Sequence, residues 1–241
     1  MANLIKVEFK KLKGSNILWI CLAGCFILPI ISLMVGSNIS VQSNWIDYCT
    51  QSMWMSILLL WPCIFGLMGT YIFTRERIEN TYKNLFTIPV GRVSLVLSKL
   101  FVLLITIVCI TFISYMLNLV GLFIGVKLTL NDFFQGLATY LMSGLLMFCA
   151  MLPVMFIALM SKKGFLVSIC VTIVYALISF IGIWAPLLSS ILPIISIMRI
   201  CNITALSIEY SYPMIITYVS LFGITAVSLF GIIFAAKKQE A

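Results

Sequence analysis

The chain has 241 residues, of which 63% are hydrophobic and only 9% charged, with a net charge of +8 and a mean hydropathy of +1.19. Soluble domains carry about one-quarter charged residues, so this composition excludes water as the main solvent. Nor does the positive charge indicate nucleic acid, because the 15 lysines and arginines fall in short clusters between apolar runs, where they act as topology signals.

In chain order, Leu4, Ile5, Phe9 and Leu12 recur at helical spacing, with Lys6, Lys10, Lys11 and Lys13 around the remaining surface. That pattern predicts a helix lying in the membrane interface. Gly14, Ser15 and Asn16 break it, and a first span over about 17–35 follows, with Pro29 as its kink. The run is long and lacks a small-residue cleavage site, so it reads as a retained span, not a signal peptide. Further apolar runs predict spans over about 53–74, 100–122, 133–160, 165–184 and 214–236. Each is near the roughly twenty residues needed to cross ~30 Å of hydrocarbon.

Residues 185–213 are also apolar, but Pro186 and Pro193 interrupt them and they carry Arg199 and Glu209. Six spans place thirteen basic residues inside and leave Lys127 and Arg199 outside; a seventh would carry Lys237 and Lys238 across, against the positive-inside rule. The segment is therefore expected to be re-entrant or an outer-surface helical piece. Trp45, Tyr48, Trp54, Trp184, Tyr210 and Tyr212 agree with this layout as an outer aromatic belt, with Trp61 the exception. The expected fold is all-α and polytopic: six transmembrane helices in one domain over 1–241, an N-terminal interfacial helix, and both ends in the cytoplasm.

The eight cysteines contain no C-x-x-C pair, so neither a metal nor a redox framework is expected. Cys49 and Cys201 both fall in outer segments, and spacing leaves open whether they pair. With no histidine and no G-x-x-x-x-G-K-[ST] motif, the chain lacks histidine-based catalytic machinery and a P-loop. No catalytic residue, metal site or cofactor is expected in this chain. The spans hold few ionisable residues, which argues against an intramembrane proton relay. Their neutral polar side chains, among them Thr106, Ser114, Ser143, Thr172 and Ser179, read as hydrogen-bonding glue between helices. Asn118 is the candidate for contact with a substrate.

The most informative stretch is R-E-R-I-E-N-T-Y-K-N-L-F-T-I-P-V-G-R, Arg75 to Arg92, between spans two and three. Ile78, Tyr82, Leu85 and Phe86 are interleaved with Glu76, Arg77, Glu79 and Lys83, which suits a short amphipathic helix docking on a cytoplasmic partner; Pro89 ends it. A solvated connector whose cations enforce topology is the alternative. The same residues resemble the cytoplasmic loop of bacterial ABC type-two exporter permeases, at Glu76, Asn80, Thr81, Tyr82, Lys83, Leu85, Thr87, Pro89, Val90, Arg92 and Lys99. Gly91 departs from the serine many relatives carry.

The resemblance extends to the basic N-terminal helix, the six spans and the apolar segment before the last, nearest to the lantibiotic immunity permeases. It implies a permease in the bacterial cytoplasmic membrane whose coupling residues are Glu76, Glu79, Asn80, Thr81, Tyr82, Lys83, Leu85, Phe86, Pro89 and Arg92. It also implies a separate ABC ATPase that binds ATP and Mg, a second permease, identical or homologous, and an antimicrobial peptide as cargo. The residues themselves leave open a drug, bacitracin-like peptide or lipid cargo, and a scaffold or sensor subunit that transports nothing.

Overall fold

A computed structural model describes residues 2–36, 44–78, 91–124, 126–161, 165–203 and 210–238. Helix α1 (Ala2–Lys13) carries the predicted amphipathic pattern: Leu12 is buried while Lys6, Val7, Lys10 and Lys13 are exposed. Ser15 closes its end, donating from backbone and hydroxyl to the Leu12 carbonyl at 2.9 and 2.8 Å. Helix α2 follows (Asn16–Gly36). Helices α3 (Trp45–Met55) and α4 (Trp61–Ile78) join through a π-helical turn, Ser56–Leu60. The widened turn has a local cause, because Pro62 offers no N–H and its ring crowds the carbonyl four residues back.

Next come α5 (Arg92–Asn118), prolonged by a 3-10 turn over Leu119–Ile124, α6 (Leu130–Met160) and α7 (Phe165–Gly182). Two short helices, α8 (Pro186–Ile191) and α9 (Pro193–Ile200), precede α10 (Met214–Lys238). Among the described residues, five stretches are long and apolar enough to cross a membrane: Trp45–Glu76, Arg92–Asn118, Leu130–Met160, Phe165–Gly182 and Met214–Lys238. The chain is thus an all-α polytopic membrane protein.

Helix starts differ most from the sequence expectation. The second span begins at Trp45, eight residues before its apolar run, because Trp45, Tyr48, Cys49, Ser52 and Met53 form one buried helical face. Polar neighbours dilute the hydropathy of that turn without breaking its period. The third span likewise begins at Arg92, and it buries Val96, Ser98 and Lys99 before the apolar run starts. Of the stretch Arg75 to Arg92 expected to hold the coupling helix, residues 79–90 lie outside the described residues, as does Glu209.

The proline-interrupted segment is helical, each piece having its proline in the first turn, where the missing N–H is harmless. Ile194, Ile195, Ile197 and Met198 of α9 are fully buried, so this piece is enclosed by its neighbouring helices. Asn202 ends it in the left-handed region (φ 53°), with the Ile203 N–H reaching back to the Met198 carbonyl at 2.9 Å. Trp61 is fully buried, which explains its departure from the aromatic belt. All eight cysteines are free, Cys49 and Cys201 among them.

Most hydroxyls in the spans do not glue helices together. Thr106, Ser114, Ser143, Thr172 and Ser179 donate to carbonyls three or four residues back in their own helices. Within hydrocarbon that local bond satisfies the hydroxyl where no other donor or acceptor is at hand. Tyr175 is an exception, crossing from α7 to the Ala150 carbonyl of α6 at 3.1 Å.

Candidate functional site

The polar chemistry of this bundle concentrates where α4 ends and α5 begins, on either side of residues 79–90. Glu76, two residues before the end of α4, is only 6% exposed. One carboxylate oxygen accepts from Lys99 Nζ of α5 at 2.7 Å and the other from Lys11 Nζ of α1 at 2.9 Å. Lys99 is 3% exposed and also donates to the Ile72 carbonyl at 3.2 Å. Lys11 in turn reaches Glu8 at 2.6 Å. Arg75 lies 5.6 Å from the centre of the Tyr71 ring and donates to the Lys11 carbonyl, one of the last acceptors of α1 that has no partner within its own helix.

Two carboxylates and three cations thus bind α1, α4 and α5 into one body. A buried charge without its partner is strongly unfavourable, so Glu76 and Lys99 hold each other in place. Burial pulls the Lys11 ammonium down, but its hydrogen bonds to Glu8 and Glu76 and their charges outweigh this, raising its pKa above the ordinary lysine value. The cavity among Glu8, Lys11, Tyr71, Arg75 and Glu76 is about 10 Å3, room for one water at most. Cargo does not fit there, and the arrangement is suited to transmitting displacement between helices.

Among the residues read from sequence as coupling residues, Glu76 stands at the centre of this cluster and Arg92 opens α5, half-buried, behind Gly91. Glu79, Asn80, Thr81, Tyr82, Lys83, Leu85, Phe86 and Pro89 lie outside the described residues. Sequence reasoning treated Lys11 and Lys99 as topology signals and missed their pairing. For Lys99 a signal existed: a lysine flanked by V-L-S and L-F-V is an ionisable group inside an apolar helix, which by default has a partner.

Asn118 stands about 28 Å further along α5 at 1.5 Å per residue. It is 2% exposed and donates to the Ser114 carbonyl at 2.8 Å and to Tyr140 Oη at 2.9 Å. Tyr140 shares a 2.6 Å hydrogen bond with Ser52, so α3, α5 and α6 meet at one phenol. Tyr115 packs against this group and is contacted by Trp45 Nε1 at 3.3 Å. Asn118 Oδ1 and Trp61 Nε1 have no hydrogen-bond partner among the described residues. Asn118 therefore sits inside the protein, within a network between helices.

Ion pairs and hydrogen bonds thus clamp α1 to α4 and α5, the helices on either side of the charged stretch 79–90. Residues 4–179 match the family described as ABC-2 family transporter protein. This chain belongs to the ABC-2 transporter family. It is also similar to the bacitracin transport permease protein BCRB of Bacillus licheniformis, with 31% identity over 186 residues, covering 76% of this chain and 86% of the relative. No solved structure gives a significant match. The ABC-2 match spans α1 through α7 and so includes every member of the ion cluster.

Proposed function

We propose that this permease is the membrane subunit of an ATP-driven exporter that removes an antimicrobial peptide from the bacterial cytoplasmic membrane, giving immunity or resistance. A separate ABC ATPase, binding ATP and Mg, docks on the loop 79–90, and a second permease, identical or homologous, completes the pathway. Both termini and the loop face the cytoplasm. The observation that carries this reading is Glu76: it ties α4 to α5 and both to α1 within a few residues of the loop. Closure of the ATPase then displaces three helices together instead of bending one connector.

A lantibiotic is the cargo suggested by the loop resemblance. The relative's name favours a second reading, a bacitracin-like peptide. The test is affinity purification of the tagged chain in mild detergent, with ATP hydrolysis measured against lantibiotic and bacitracin separately. A copurifying P-loop ATPase that either peptide stimulates supports the exporter and selects the cargo. A chain that purifies alone, or an ATPase indifferent to both peptides, overturns the respective part of the proposal.

A further inference from the structure

Helix α1 does not lie flush against the bundle along its whole length. Between its last turns, the start of α2 and the middle of α5 there is an open cleft of about 500 Å3, within the size range of small-molecule sites. Its walls are apolar, formed by Phe9, Leu18, Trp19 and Leu22, and it reaches Thr106 of α5. Thr106 is seven residues beyond Lys99, so the cleft penetrates about 10 Å along α5 from the level of the ion cluster.

The rim of this cleft is cationic. Lys10 and Lys13 line it and are exposed; at three residues apart on one helix their side chains are neighbours. Lys11 between them points elsewhere, into Glu8 and Glu76. Lys10 and Lys13 have no ion pair among the described residues. The described acidic side chains offer them none: Glu8 and Glu76 are buried in the cluster, while Asp47 starts α3 and Asp132 starts α6, at the opposite end of the bundle. Among the described residues, therefore, a second copy of the chain brings no complementary charge to this rim. Trp19, 73% exposed, stands beside it as an interfacial aromatic.

An occupant must be anionic at the rim and hydrocarbon below, and it must be present where α1 meets the bilayer. We infer that the cleft binds an anionic phospholipid, its phosphate held by Lys10 and Lys13 and one acyl chain lying along Leu18, Leu22 and Thr106. Because Lys11 of the same helix is locked to Glu76, a lipid seated here props α1 in the position that the ion cluster requires. The site stands on the cleft and its charges and holds for any cargo.

Native mass spectrometry of the purified full chain, titrated with dioleoyl phosphatidylglycerol or dioleoyl phosphatidylcholine, tests this directly. The intact protein is expected to retain phosphatidylglycerol preferentially. At roughly one kilocalorie-scale contribution per basic residue, K10Q/K13Q lowers that affinity about thirtyfold and leaves phosphatidylcholine unchanged. Leu22→Trp, which fills the cleft, weakens phosphatidylglycerol binding with both lysines present. Should K10Q/K13Q bind like the intact protein, the headgroup site is wrong; should Leu22→Trp bind like it, the lysines act only as a diffuse surface charge and no chain is seated. A readout on the unaltered cleft guards against misfolding: phosphatidylglycerol brominated along its acyl chains quenches tryptophan emission, and Trp19→Phe is expected to remove most of the quenched fraction. An unchanged fraction overturns the site.

Discussion

Glu76 accepts from two lysines on two different helices, and the two bonds differ in weight. The Lys99 side chain is 4% exposed and that of Lys11 34%, so the first pair is shielded from water while the second is partly screened. Glu76→Gln keeps the shape but strands a buried ammonium, and breaking a buried pair on one side costs about 3–5 kcal/mol. Lys99→Met strands the carboxylate with only Lys11 to compensate it. Replacing both partners leaves no orphaned charge, so Glu76→Gln with Lys99→Met is expected to be more stable than either single variant. Thermal unfolding in detergent reads this as a double-mutant cycle with a large coupling energy. Additive losses would mean that the two residues do not act as a pair.

Helix pairs in this bundle approach closely where glycine permits it. A Cβ on Gly66 of α4 would fall 2.0 Å from Thr172 Cγ2 of α7, and one on Gly144 of α6 would fall 2.6 Å from Thr111 Cγ2 of α5. Both contacts are backbone against a β-branched side chain, which cannot swing away. Gly66→Ala is expected to lower stability by roughly 1–3 kcal/mol through overpacking. Thr172→Ala removes the nearest atoms and recovers part of the loss, which the same unfolding assay measures; no recovery would place the strain elsewhere. These contacts were not legible in the sequence, because nothing along a chain says which threonine faces which glycine. Periodicity found the apolar body of the spans, and an alternation of basic and apolar residues found α1. The start of α3 was legible in principle, since Trp45, Tyr48, Cys49 and Ser52 keep the helical period, but hydropathy averaged it away. Glu76 was singled out by its loop, whereas its partners lie 65 residues upstream and 23 downstream, a separation at which charge pattern carries no pairing information.

At the scale of the molecule, the remaining question is how many times the chain crosses, and the positions of the helix ends constrain it. Among the described residues five stretches satisfy length and composition, and an odd number would put the termini on opposite sides. Helix α2, however, leaves α1 at the end of the bundle marked by Lys11 and Glu76. The chain reappears at Trp45 beside Tyr115, and Asn44 bridges Lys127, both at the far end. The 21 residues of α2 rise about 31 Å at 1.5 Å each, matching the ~30 Å of hydrocarbon. Helix α10 begins near Arg199, whose guanidinium donates to Thr217 at 2.8 Å, and passes Phe156 at Gly231 close to the C-terminal end of α6. It therefore finishes at the end where α1 begins. We propose six crossings on these grounds, with Lys237 and Lys238 on the same side as the lysines of α1, as the charge asymmetry favours. Fluorescent protein fused separately to each end, of a kind that matures only in the cytoplasm, is expected to be bright in both fusions. One bright and one dark fusion would mean an odd number of crossings and overturn the six-span arrangement.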